Sequence, residues 1–424
     1  MVTWRSAFRL GLLTLFSVLF STACSFWAAP ELQSRRQYDP IIELFVVNNL
    51  AETLTSIELD RSGRFIGTQD DIAILGSVPN GIISTGSELL VTLSGENRLL
   101  FLDESTCVTT GSIDLGSGVN PMVTAEIGPN LYGTTGLFSG RLHVHKRDGS
   151  TRLERVTGPV DSRAPQSTMA IRTTGGGPGE VRVLVANTAY SSTRPASDPY
   201  GVGTLTVFRI STDGSAVSII DSETYELEDS GSNTGGLNPQ QLIDLSATGE
   251  ILVIGAGVNY GGGSGEDDGV VLVLNRAALI AEATLPPAGT DIVKQRIPIG
   301  GSPGAGVVLD RADSGYTLIT AGTTALRAIV RPGGATGSTP WKEPGSSSEA
   351  VVYDATGTGT GTGGLPFLSD IVAWERSAGN YSVYVADFGN DRVLRFSFDG
   401  AVGLTFREAQ TVSDGPIALL LGIE

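Results

Sequence analysis

The stretch YVADFGNDRVLRF, residues 384–396, has a counterpart far earlier in the chain, LVTLSGENRLLFL at 90–102. Each stretch has the pattern of an apolar strand, a short polar turn with Gly, Asn and Arg, and a second apolar strand. The matched pairs are Val385 and Val91, Gly389 and Gly95, and Arg392 and Arg98. Because one chain contains the same hairpin twice, the sequence predicts a fold built from repeated units.

A proline stands just before an apolar strand at seven places. These are Pro79, Pro121, Pro165, Pro239, Pro303, Pro366 and Pro416. Proline suits the start of a strand because it has a fixed φ and no amide hydrogen to give to the sheet. A second and a third strand follow every proline except the last, often ending in Asp-Gly or Gly-Gly turns, and a weaker fourth strand closes the unit. Four short antiparallel strands, repeated, are typical of a propeller blade.

The two ends of the chain complete one blade between them. The apolar strands at 41–48 and 53–60, with the GRFIGTQ segment after them, match second, third and fourth strands without a first. Residues 415–424 form a lone strand that fits the vacant place. The sequence therefore predicts an all-β domain over residues 41–424. We expect a seven-bladed β-propeller of four-stranded antiparallel blades, closed by the C-terminal strand.

Two blades resemble known repeats. The 384–396 stretch resembles the NHL repeat, and LLVTLSGENRLLFLDESTCVTTGSIDLG, residues 89–116, resembles the YVTN-type repeats of bacterial seven-bladed surface propellers. The repeat pattern covers about residues 40–424, but only these two blades match closely. The resemblance implies the propeller fold and says little about chemistry, because propellers include binding proteins, scaffolds and enzymes.

The N-terminal residues have the pattern of an export signal. Arg5 and Arg9 precede the apolar run LGLLTLFSVLF, and small residues lead to Cys24. This segment resembles a bacterial lipoprotein signal, although Ser21 stands where that cleavage box prefers Leu. We expect residues 1–23 to be removed as a lipoprotein-type signal peptide, with Cys24 lipidated.

A tether at 24–40 would then hold the propeller to a membrane of the bacterial cell envelope, on the periplasmic or the surface side. Two alternatives remain open. The uncharged residues 10–30 are long enough to span a bilayer as an uncleaved anchor, and ordinary signal cleavage would release a soluble protein. All three alternatives export the propeller.

Charge and residue types narrow the possible functions. With 28 basic and 45 acidic residues, the net charge of −17 repels phosphate backbones, so nucleic acid is not an expected partner. The only histidines, His143 and His145, have no third ligand near them in sequence, and the two cysteines form no zinc cluster. We predict no cofactor, no metal and no catalytic residues.

Two insertions indicate where a binding surface would lie. They occupy 188–203 and 257–269, between the second and third strands of adjacent blades, on the face that carries the prolines. Their candidate binding residues are Tyr190, Arg194, Tyr200, Tyr260, Glu266, Asp267 and Asp268. Polar residues near the starts of the first strands would line the channel mouth: Asn80, Asn120, Gln166, Asn238, Gln240 and Asp370.

These features favour a non-enzymatic binding or scaffold propeller that presents one face to a protein, a glycan or a small ligand. The alternative is a metal-dependent hydrolase that resembles the gluconolactonase group. That resemblance implies a divalent metal held in the channel by Glu, Asn and Asp side chains. Asn80, Asn120 and Asp370 are possible ligands, and Glu126 is the nearest glutamate to a first strand.

Overall fold

The computed structural model describes most of the chain from residue 42 onwards. The described ranges are 42–150, 152–158, 164–172, 179–189, 202–212, 217–227, 237–257, 269–280, 284–333, 339–343, 350–357, 365–400 and 403–422. The signal peptide, Cys24 and the tether lie outside them, as do all the candidate residues predicted in the two long loops. Within these ranges, no helix has the length and apolar character needed to cross a membrane.

The described strands form seven sheets of four antiparallel strands each, and each sheet is one blade. Blade 1 contains β28 (Pro416–Gly422), β1 (Ile42–Asn48), β2 (Thr53–Leu59) and β3 (Phe65–Ile74). Blade 2 contains β4 (Pro79–Ser84), β5 (Glu88–Leu93), β6 (Arg98–Asp103) and β7 (Thr109–Asp114). Blade 3 contains β8 (Pro121–Gly128), β9 (Leu131–Gly136), β10 (Arg141–Lys146) and β11 (Arg152–Val156), and blade 4 contains β12 (Pro165–Arg172), β13 (Glu180–Asn187), β14 (Thr204–Ser211) and β15 (Ser218–Glu226).

The remaining three blades follow in chain order. Blade 5 contains β16 (Pro239–Leu245), β17 (Glu250–Gly255), β18 (Val270–Asn275) and β19 (Val293–Pro298), with the short helix α1 (Arg276–Ile280) before β19. Blade 6 contains β20 (Ala305–Asp310), β21 (Tyr316–Ala321), β22 (Ala325–Arg331) and β23 (Val351–Asp354). Blade 7 contains β24 (Leu368–Ser377), β25 (Asn380–Asp387), β26 (Arg392–Phe398) and β27 (Leu404–Thr411). The prediction of a seven-bladed all-β propeller is confirmed.

The C-terminal strand completes blade 1. β28 pairs antiparallel with β1, which places Leu421 opposite Leu44 and Leu419 opposite Val46. The innermost strand of the blade thus comes from one end of the chain and its three other strands from the other end. The predicted ring closure is confirmed.

The two similar hairpins occupy equivalent places in blades 2 and 7. Arg98 pairs with Leu93 in the first, and Arg392 pairs with Asp387 in the second, so the predicted alignment is the observed register. The turn glycines also have matching surroundings. A Cβ on Gly389 would stand 1.9 Å from the carbonyl oxygen of Leu365, and one on Gly95 would lie 2.9 Å from that of Ser77. Each hairpin therefore packs against the backbone of the connection entering its own blade.

Most of the seven prolines begin an inner strand, as predicted. Pro303 and Pro366 differ, because each lies two residues before the first paired residue of its strand. The residue before the proline has a left-handed backbone in six of the seven blades: Val78, Asn120, Ala164, Asn238, Ser302 and Gly415. This turn directs the chain from the outer strand of one blade into the centre of the next.

The hydrophobic core lies between neighbouring blades. Side chains on a strand alternate between its two faces. In β17, Ile251 and Val253 pack in a cluster shared with blade 4, whereas Leu252 and Ile254 pack in a cluster shared with blade 6. Both faces of the blade are therefore buried by its neighbours, which explains why the strands read as continuous apolar runs.

Candidate functional site

The inner strands of all seven blades surround a central channel cavity of about 610 Å³. Its hydrogen-bonding side chains are mostly uncharged, and five of them are Asn80, Gln166, Gln240, Gln241 and Ser369. Apolar side chains, among them Met122, Met169, Ile417 and Leu419, lie between these polar groups. Two carboxylates, Glu126 and Asp370, also line the cavity, and none of its described lining residues is Arg or Lys.

Some of the channel side chains also join adjacent blades. The Asn80 amide donates to the carbonyl oxygen of Pro121 at 3.3 Å, and the Ser369 hydroxyl donates to that of Pro416 at 2.8 Å. Asn80 and Ser369 occupy the same position in their strands, a one-residue bulge where the inner strand begins. A bulge redirects the side chain of its extra residue, here toward the next blade.

The next residue along the strand makes a second type of contact between blades. The Gln241 amide oxygen accepts a hydrogen bond from the Gly306 N–H at 2.6 Å, and the Asp370 carboxylate accepts one from the Leu419 N–H at 2.8 Å. Burial raises the pKa of Asp370 to about 6, against the opposing effect of hydrogen bonds from Leu419 and Ile371. Asp370 therefore contributes to ring closure as well as to the channel wall.

The structure places four of the six predicted channel residues in the cavity wall: Asn80, Gln166, Gln240 and Asp370. The other two, Asn120 and Asn238, immediately precede a proline and have φ values of 49° and 46°. Asparagine is among the few residues that adopt this conformation readily. The buried Asn238 side chain donates to the Gly257 carbonyl and accepts from the Gln240 amide at 2.7 Å, so it shapes the turn.

The residues suggested by the gluconolactonase resemblance are only partly together. Asn80, Glu126 and Asp370 line the cavity, whereas Asn120 is not among its lining residues. Glu126 is exposed on β8, and Asp370 is bonded to two backbone N–H groups. In the described parts of the chain, no three His, Cys, Asp or Glu side chains are grouped closely enough to hold a metal ion.

The two histidines lie on one face of β10, where both are buried. The His145 ring bonds to the Thr134 hydroxyl at 3.1 Å, and bonds of 3.0 Å continue to Thr124 and then to Thr92 in blade 2. Burial lowers the pKa of His145 to about 3, and it also lowers that of His143. His145 is therefore neutral at physiological pH and belongs to a buried polar chain that passes through Thr124 in the channel wall and ends at Thr92.

Comparison with known proteins identifies relatives of the fold only. No protein-family profile and no curated protein sequence matches the chain. Among solved structures, two bacterial proteins titled "putative 6-phosphogluconolactonase" are similar. The Bacteroides fragilis protein has 14% identity and a TM-score of 0.60, over 91% of this chain and 99% of its own. The Bacteroides uniformis protein has 12% identity and a TM-score of 0.57, over 91% of this chain and all of its own. At such identities the likeness shows the propeller fold alone.

Proposed function

We propose that this protein is a non-enzymatic binding propeller whose channel takes a small, uncharged ligand rich in hydroxyl groups, such as a sugar. The observation that carries the proposal is the composition of the channel wall. Amide and hydroxyl side chains alternate with methionine and aliphatic side chains there, and the described wall has no cationic residue. Amides both donate and accept hydrogen bonds, as hydroxyl groups do, and the apolar side chains can contact carbon–hydrogen faces.

The same wall does not favour the chemistry for which the two similar proteins are named. A 6-phosphogluconolactone carries a phosphate, for which Arg or Lys is the usual partner. The described channel wall offers carboxylates and neutral amides instead. The lactonase alternative predicts a channel-bound divalent metal, so elemental analysis of the purified protein would reveal it directly.

The remaining parts of the proposal rest on the sequence. The lipoprotein-like signal supports attachment to the bacterial envelope through Cys24, with the propeller on the exported side. One long insertion connects β13 to β14 in blade 4, and the other connects β17 to β18 in the adjacent blade 5. We propose that their tyrosines and acidic residues extend the channel mouth toward a protein or glycan partner.

Binding to sugars tests the proposal. Full-length protein in mild detergent would be screened against neutral mono- and oligosaccharides, and a bound sugar would be measured by calorimetry. The double variant Q166A/Q240A, at the channel wall, should weaken binding about 5- to 150-fold, because each of the two lost hydrogen bonds typically contributes about 0.5–1.5 kcal/mol. The control Q410A lies on the outermost strand of blade 7 and should bind normally. Equal binding by Q166A/Q240A and the parent protein would place the ligand elsewhere.

A further inference from the structure

A second cavity, of about 500 Å³, lies at the seam between blades 7 and 1, away from the channel. Four of its eight described lining residues are arginines: Arg64, Arg376, Arg395 and Arg407. Only 28 of the 424 residues in this acidic chain are Lys or Arg, so such a cluster is unusual for its composition. We call this cavity the arginine cleft.

The arginine cleft opens on the face opposite the prolines. Arg64 belongs to the turn between β2 and β3, and Arg376 lies at the end of β24. These turns connect the ends of the blades that point away from the proline-bearing connections. A ligand in the arginine cleft would therefore be separate from one bound at the channel mouth.

Part of the positive charge in the arginine cleft is already used within the protein. The Arg395 guanidinium donates to the Glu408 carboxylate at 2.7 Å and to the Ser62 carbonyl oxygen at 2.9 Å, so it holds the blade 1 turn against blade 7. This buried arginine is a structural member of the wall.

The other arginines have neutral partners where the structure shows their hydrogen bonds. Arg376 donates to the Tyr381 carbonyl oxygen at 3.1 Å, and Arg407 donates to the Ser397 hydroxyl at 2.7 Å. Arg64 and Arg407 are exposed. Within the part of the chain that the structure describes, the buried Nε atoms of Arg376 and Arg395 have no hydrogen-bond partner.

We propose that the arginine cleft binds a phosphate monoester. Among its described lining residues, the four guanidinium charges exceed the two carboxylates, Asp399 and Glu408, by two. A phosphate monoester carries about two negative charges at neutral pH, and the planar fork of a guanidinium matches its oxygens. The net charge of −17 does not prevent this, because salt screens charges more than about 8–10 Å away under physiological conditions. The phosphate comes from a soluble metabolite or from a lipid headgroup.

The experiment uses full-length protein in one detergent buffer. Calorimetry would compare glycerol 3-phosphate, short-chain phosphatidic acid and, as the uncharged control, glycerol. Binding of either phosphate compound but not glycerol is expected, and the compound that binds more tightly identifies the source. Binding should weaken as salt is added, because the exposed arginines are screened. Failure of both phosphate compounds to bind at millimolar concentration would overturn the proposal.

Two double variants locate the binding. R64Q/R407Q removes the exposed arginines of the cleft without touching Arg395, and a loss of about 10- to 100-fold in affinity is expected from the removal of charged hydrogen bonds. R141Q/R155Q removes the same charge from exposed positions on blade 3 and should bind like the parent. If both double variants lose affinity equally, the phosphate responds to overall charge and the cleft is not its site. Sugar binding at the channel should be unchanged in both.

Discussion

Single residues in the repeated hairpin contribute to stability in a way that their strand pattern does not reveal. Asp387 is completely buried, and its carboxylate accepts hydrogen bonds from Arg392 at 2.8 Å and Asn390 at 2.9 Å. Removing one partner of a buried ion pair typically costs about 3–5 kcal/mol. We therefore expect D387A to lower the free energy of unfolding by about that amount in chemical denaturation.

The control for this prediction is an exposed ion pair. Asp313 pairs with Arg311 at 3.1 Å, but 48% of the Asp313 side chain is exposed to solvent. D313A should therefore leave the free energy of unfolding almost unchanged, since exposed pairs contribute little. If D387A and D313A were equally mild, the buried pair would not stabilise blade 7.

Asp370 should make stability depend on pH. Its pKa of about 6 in the folded protein exceeds the usual aspartate value of about 3.9. Between these values the folded protein keeps a proton that the unfolded chain has released, so this residue's stabilising contribution falls as pH rises from about 4 to about 6. We expect D370N to gain stability relative to the parent over this range.

The measurement is the difference in unfolding free energy between D370N and the parent from pH 4 to pH 7. His145, whose lowered pKa makes stability fall as pH decreases, acts equally in both proteins and cancels in the difference. D291N, which changes an exposed loop carboxylate, serves as the control. A difference that stays constant across the range would show that Asp370 is not protonated as described.

Residue patterns predicted the location of some channel residues but not their bonds. Asn80, Gln166 and Gln240 follow a repeated proline, and this position placed them in the channel wall correctly. Their partners could not be predicted, because a bulge aims Asn80 at a carbonyl about 40 residues further along the chain. Gln241 was not predicted as a channel residue for the same reason. The usual alternation of side chains between the two faces of a strand does not account for the extra residue of a bulge.

At the scale of elements, the segment between β22 and β23 has a packing role that its length did not suggest. Trp341 is 2% exposed and packs with side chains of blades 5 and 6. Its backbone exchanges two hydrogen bonds with the Gln295 side chain, at 2.8 and 3.1 Å, and its indole donates to Glu250 at 3.3 Å. The segment therefore fastens two blades together.

We expect W341A to lower the free energy of unfolding by about 3–5 kcal/mol, the usual cost of truncating a buried aromatic side chain. W341F should cost less, since it keeps most of the apolar volume and loses only the indole bond to Glu250. Thermal and chemical denaturation of both variants would give the values. Unchanged stability in W341A would show that the segment between β22 and β23 does not stabilise the contact between blades 5 and 6.

The entry to each inner strand shows the limit of prediction at this scale. The sequence located seven prolines, but it did not show that the preceding residue is left-handed in six blades. Of the six residues, only the two Asn and the Gly favour a left-handed backbone by themselves, yet Val78, Ala164 and Ser302 are left-handed as well. Position in the ring, rather than the preference of the individual residue, sets the backbone there.

For the whole molecule, attachment to a membrane remains a prediction from the first residues. If Cys24 is lipidated, mass spectrometry of the protein purified from its native envelope should find a mature N-terminus at Cys24 that carries acyl chains. C24A should then appear in the soluble exported fraction or remain unprocessed. An unmodified terminus at any other position would contradict the prediction.

The seam between blades 7 and 1 could be predicted in outline only. The strand pattern at the two ends of the chain correctly predicted which strand completes blade 1. The side chains that meet there are more than 300 residues apart in sequence, as with Tyr384, which donates to the Gly63 carbonyl oxygen at 2.7 Å. No local pattern brings Arg64 and Arg407 to one cavity, so the arginine cleft required the structure.

The closing strand should be essential for the ring. Deleting residues 415–424 removes β28, exposes one edge of β1 and uncovers Phe45 and Val47, which are buried in the core shared with blade 2. Burying one such side chain contributes about 1.5–3 kcal/mol, whereas a whole domain is typically stable by only about 5–15 kcal/mol. We expect the shortened protein to aggregate or to melt far below the parent in a thermal scan.

The variant L419A keeps the closing strand but trims one buried side chain, so its melting temperature should fall between those of the shortened protein and the parent. Adding a synthetic 415–424 peptide should partly restore the melting temperature, because the exposed edge of β1 can pair with it. A shortened protein that melts like the parent would show that the other seam contacts, such as that of Tyr384, hold the ring without its closing strand.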